Sequence, residues 1–107
     1  MSANEKLSKE DVHQLLKNAI KYNRVSLSRH ADERMKERNI TWFEVLETLE
    51  KGWNERRKDQ FDEKHNQWVY AIRYNLKVST KEQRRLRIPV AFIDSSTIVV
   101  TTIDIDR

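Results

Sequence analysis

Trp68-Val69-Tyr70-Ala71-Ile72-Arg73-Tyr74-Asn75-Leu76 alternates large apolar side chains with small or polar ones over nine residues. Side chains of a strand point to opposite faces at a period of two. The stretch therefore predicts a strand with Trp68, Tyr70, Ile72, Tyr74 and Leu76 on a core. Val69, Ala71, Arg73 and Asn75 then share the other face. Downstream, Leu86 to Asp94 repeats the pattern, with Ile88, Val90 and Phe92 on one face and Arg87, Pro89 and Ala91 on the other. Pro89 has no N–H to donate, so its amide side faces outward or the strand is locally irregular. Asp94-Ser95-Ser96 reads as a turn into a last strand, Thr97 to Ile105, whose start is apolar on both faces and so suits a central position. Upstream, Trp53 to Lys58 reads as a charged edge strand and Asp59 to Asn66 as a polar turn.

Before Gly52 the period is helical. Ser8 with Asp11 fits a capping box, and Val12, Leu15, Leu16, Ala19 and Ile20 follow at helical spacing, predicting a helix from about Lys9 to Tyr22. Val25 and Leu27 form an extended link. Ser28 can cap a second helix running through Arg38, and Thr41 with Glu44 caps a third that ends at Gly52, a C-cap glycine. This order predicts one α+β domain over residues 1–107. Its N-terminal helices pack on one face of a three- or four-stranded antiparallel sheet, and residues 1–7 are frayed. A DNA-reading helix-turn-helix ranks lower, because the chain turns to strands after Gly52.

Composition narrows the function. The chain is 36% charged with a net charge of +4, and its pI near 9.5 suits polyanionic partners, chiefly nucleic acid. No cysteine is present, which excludes disulfides and thiolate metal sites. No long apolar run or signal-peptide core occurs, so no membrane role and a cytoplasmic location are expected.

On the second helix, His30, Arg34 and Arg38 fall on one stripe beside the apolar pair Ala31 and Met35. The stripe is either a solvated basic face or an imidazole set against anion-holding guanidiniums. Its place bordering the buried face favours the second. The outer sheet face adds Arg73, Asn75, Arg87 and, in one register, Thr102 and Asp104. Arg57, Lys77, Lys81, Arg84 and Arg85 are candidate contacts to a nucleic-acid backbone, although a solvated hairpin loop reads equally well from Lys77 to Arg85.

His30-Ala31-x-x-Arg34-Met35-x-x-Arg38-x-Ile40, a helix ending near Gly52, an alternating strand and a final Val-Thr-Thr-Ile strand resemble a family of small bacterial proteins. That family, long described as a domain of unknown function, is grouped with the RelE-like and BrnT-like toxins of the barnase–EndoU–colicin–RelE ribonuclease fold. The likeness covers roughly Ser28 to Asp104. It implies metal-independent cleavage of RNA (mRNA or tRNA) and a cognate antitoxin or immunity protein, with His30, Arg34, Arg38, Arg73 and Thr102 at the site. Related sequences often carry a tyrosine where this chain has Asp104.

The chemistry is consistent. Such cleavage needs a base for the 2′-hydroxyl, a cation for the phosphorane and an acid for the 5′-oxygen. His30 suits acid or base, the arginines suit the phosphate, Thr102 can orient an oxygen, and Asp104 or Glu33 can orient the imidazole. His30 and His65 lack close ligand spacing, so neither metal nor cofactor is expected. The reading is a RelE-like endoribonuclease toxin. Two alternatives stand beside it: a non-catalytic RNA- or DNA-binding module, and a protein-binding regulator of a toxin–antitoxin or phage system.

Overall fold

The computed structural model describes residues 5–94 and 97–106. Three helices come first: α1 (Lys9–Lys21), α2 (Arg29–Arg38) and α3 (Trp42–Lys51). Strand β1 (Val25–Leu27) lies between the first two. After α3 come β2 (Trp53–Asn54), a 3-10 turn (Arg56–Lys58), β3 (Gln60–Asp62), β4 (Gln67–Lys77), β5 (Gln83–Phe92), β6 (Ile98–Val100) and β7 (Asp104–Asp106).

Each helix starts on a side-chain cap. Ser8 accepts from the Asp11 amide and Ser28 from that of Ala31, while Thr41 and Glu44 form the reciprocal box. Asn39 ends α2 in the left-handed conformation, at φ 54°. Gly52 ends α3, but its φ of −74° is open to any residue. Glycine is needed there for space. A Cβ would stand 2.4 Å from the Thr48 carbonyl oxygen and 2.6 Å from that of Arg73. The glycine thus brings α3 and β4 into backbone contact and fixes where β2 begins.

The architecture is α+β, with the helices packed against the sheet. Val12 and Leu16 of α1, Ala31 of α2 and Val45 and Leu49 of α3 share one buried cluster with Tyr70, Ile72, Ile88 and Val90. Trp68, Tyr74 and Phe92 pack on its margin, so the inner face is the one the alternation predicts. Among the described residues the sheet is larger than expected, seven strands in the order β1-β6-β5-β4-β2, with β3 on β4 and β7 on β5. It is also mixed. Strand β1, read as a link, pairs in parallel with β6, which makes β6 central. Part of the supposed polar turn is β3, in a hairpin with β4, and only Trp53–Asn54 of the supposed edge strand is extended.

The last strand is broken at Pro89. β6 pairs with Val90–Phe92 and β7 with Arg85–Arg87, while Thr101–Ile103 leaves the ladder. Proline offers no amide there, and the Thr101 amide and hydroxyl both donate to the Pro89 carbonyl, at 3.0 and 3.2 Å. One extra residue enters the last strand between the two pairings, and such a bulge re-aims the side chains beyond it. Val100 and Ile103 both turn inward and are fully buried, while Asp104 comes to lie opposite Arg87 on the outer face.

Lys6 and Leu7, within the segment expected to fray, make contacts with the sheet and the turn before β3. The Leu7 amide donates to the Tyr70 hydroxyl (2.8 Å), Arg56 donates to the Leu7 carbonyl (2.6 Å), and Lys6 pairs with Asp59 (3.3 Å). Met1–Asn4 lie outside the described residues, as do Ser95 and Ser96 of the turn expected at Asp94–Ser96. No helix among the described residues is long and apolar enough to cross a membrane.

Candidate functional site

Strand register sets one row of side chains across the outer face. Trp53 of β2 lies opposite Arg73 of β4, Arg73 opposite Arg87 of β5, and Arg87 opposite Asp104 of β7. Directly opposed residues share a face, so two guanidiniums stand side by side with a carboxylate at one end. Like charges at such a position repel unless something lies between them. That group is Glu55, two residues beyond Trp53 and therefore on the same face. Its carboxylate accepts from Arg87 Nε at 2.8 Å and from Arg73 Nη1 at 3.5 Å, and Arg57 Nη2 stands 3.8 Å away. The Arg87 hydrogen bond holds the Glu55 carboxyl below its ordinary 4.5, aided by the charges of Arg87, Arg73 and Arg57 and opposed by burial.

Helix α2 joins this row from the side. The Ser28 hydroxyl donates to the Thr101 carbonyl (2.7 Å) while accepting from the Ala31 amide (3.0 Å), so the first turn is stitched to the bulge. One turn on, Arg34 Nη2 stands 3.7 Å from Asp104, and its Nη1 stands 3.8 Å from Glu37. These are loose pairs, and Arg34 Nε is buried with no hydrogen-bond partner among the described residues. The loosely paired Nη1 and Nη2, on a side chain that is 29% exposed, keep donor capacity for an anion. Beside the row opens a groove of about 810 Å³, floored by Val69, Ala71 and Pro89 and flanked by Arg87, Thr102 and Asp104.

The expected residues divide. Arg73, Arg87, Asp104, Arg34 and Arg57 come together, and Thr102 lines the groove. His30 lies on the α2 stripe with Arg34, but it is exposed and forms no hydrogen bond among the described residues. Neither proposed orienting acid reaches it, because Glu33 pairs with Arg29 (3.3 Å) and Asp104 faces Arg34. Arg38 is exposed at the far end of the helix. Much of the supposed basic loop is strand. Lys77 ends β4, Arg84 and Arg85 belong to β5, and Lys81 sits at the hairpin tip. Arg84 is committed to the Asn39 carbonyl at the end of α2 (3.0 Å). Glu55 was missed, because a lone acid in a charged stretch carries no local signal. Among the described residues, no three histidine, aspartate or glutamate side chains group as metal ligands.

Fold and site together define a small α+β protein with a guanidinium row on its outer sheet face. The chain matches the family described as a domain of unknown function, DUF4258, over residues 27–104, and it belongs to that family. The match takes in α2, the row and Asp104, and leaves out α1. No curated protein and no solved structure matches the chain.

Proposed function

We propose that this protein is a RelE-like endoribonuclease that cleaves RNA without a metal, as a toxin restrained by an antitoxin or immunity protein. The observation that carries the reading is the row in which Arg73 lies opposite Arg87 and Arg87 opposite Asp104, with Arg34 reaching Asp104 from the helical stripe that bears His30. A phosphodiester lying on that row has guanidiniums to take up the charge of the phosphorane. The base removes the 2′-hydroxyl proton, the 2′-oxygen attacks phosphorus, the P–O5′ bond breaks, and the acid protonates the leaving oxygen. His30 supplies one of these roles and Asp104 the other, while Thr102 orients a non-bridging oxygen.

The deciding experiment induces wild type and His30→Ala in a bacterial host and examines growth and total RNA. Arrest with new RNA fragments, both lost in the variant, is the expected result. Cleavage by the variant at the wild-type rate would move proton transfer away from His30. Normal growth with intact RNA in both strains would favour a second reading, a non-catalytic RNA-binding module. That reading draws on the lack of any group orienting His30 among the described residues. It expects affinity that falls steeply with salt and ignores His30→Ala.

A further inference from the structure

The row that carries the arginines begins with an aromatic residue that has no part in the core. Trp42 and Trp68 pack against the buried cluster, whereas Trp53 stays 43% exposed. Its face is fixed twice over. It is the direct partner of Arg73, and it lies two residues before Glu55, whose carboxylate sits under Arg73 and Arg87. Gly52 holds it there, since β2 begins where α3 and β4 are in backbone contact. Trp53 is thus the register partner of Arg73 on a strand one spacing, about 4.8 Å between backbones, away, on the face where Arg57, Arg73 and Arg87 concentrate positive charge.

We propose that Trp53 is a stacking platform for an unpaired nucleobase of a single-stranded RNA whose backbone phosphate lies on Arg73. This rests on the reading of the guanidinium row as an RNA contact and adds the strandedness and the base subsite. A flat aromatic face beside a cationic track is the combination that binds single strands, because every base offers a face to stack on. A duplex keeps its bases inside and offers Trp53 nothing. The larger ring of a purine stacks better than a pyrimidine, giving a modest purine preference. A protein partner would also use an exposed tryptophan, but three guanidiniums within reach of one carboxylate favour a polyanion.

The test uses a fluorescein-labelled 2′-O-methyl RNA strand, which lacks the attacking hydroxyl and survives the binding measurement. It is offered alone, annealed to its complement, and with abasic sites in place of purines. Trp53→Ala should weaken single-strand binding roughly five- to a hundredfold. Trp53→Phe should retain most of the affinity, duplex binding should not change, and the wild type should lose a similar factor with the abasic strand. Unchanged single-strand affinity in Trp53→Ala, an equal loss for duplex, or an abasic strand bound as well as the intact one would each overturn the platform. Arg73→Ala measured alongside separates the two claims. If it weakens binding and Trp53→Ala does not, the row stands and the platform falls. If wild type binds no strand at all, both fall.

Discussion

Asp59 and Glu55 lie four residues apart on one short segment, and each accepts from several donors, yet Asp59 turns to the buried Asn54 and Glu55 to the arginine row. The Asp59 carboxylate is fully buried. It accepts from the Ala71 amide and the Asn54 side chain, both at 2.8 Å, and pairs with Lys6. Its partners are mostly neutral and backbone groups, and they tie the segment before α1 to the sheet. The Glu55 carboxylate is 10% exposed and collects three arginines at the rim of the groove. The same side-chain chemistry is thus spent on cohesion in one place. In the other it keeps like charges together, where a ligand can reach them. Which neighbours surround an acid, more than the depth of its burial, separates the two uses.

Removing the interior acid should have the largest effect. Asp59→Ala leaves the Ala71 amide without its acceptor, takes one of two acceptors from the Asn54 amide group and removes the ion pair with Lys6, at a cost of about 3 kcal/mol. The melting temperature should drop by roughly 10–20 °C in calorimetry. If the drop is no larger than for a surface substitution, the two acids do not differ as described. Glu55→Gln should cost less, about 1 kcal/mol, and act in the opposite sense on binding. The amide keeps a hydrogen-bond acceptor but no charge, so the row should bind a single-stranded RNA more tightly than wild type does, read by fluorescence anisotropy. Weaker binding would mean that Glu55 itself touches the ligand.

Acid should give the smallest and most diagnostic effect. The folded-state value of Glu55 is lowered, so its contribution is complete above pH 4.5 and is lost as the pH falls through the lowered value. Thermal melts across that window should show a steeper acid decline in wild type than in Glu55→Gln. Asp62 shifts the same way, chiefly through its 2.7 Å hydrogen bond with His65, but it lies at the surface. Asp62→Asn should therefore leave the decline almost unchanged. Equal slopes in wild type and Glu55→Gln would show that the arginine contacts do not persist in solution.

The inner face of the sheet was legible because Trp68 to Leu76 alternates over a length no helix tolerates, and the helices because each has a capping side chain. The parallel partnership of β1 was not legible. Three residues are too few for a period, and the partner lies at the other end of the chain. Nor was the break after Val100, since Thr97 to Ile105 reads as one strand until Pro89 is placed opposite it. At the site, Arg73 and Arg87 were legible as members of one face. Their direct opposition, and the need for Glu55 between them, is a property of register, which sequence carries only across strands.

The pairing of β1 with β6 also sets an order of assembly. Ser28 and Thr101, joined by a hydrogen bond, are 73 residues apart, whereas β4 and β5 close on each other across one hairpin. Local contacts form early, and distant ones wait for the loop between them to close. On a ribosome, α2 emerges long before the strand that anchors it. His30 and Arg34 therefore reach the sheet only after the C-terminal strands have been released. The cluster proposed to act on RNA is the last part of the molecule to exist, and a nascent or truncated chain would lack it.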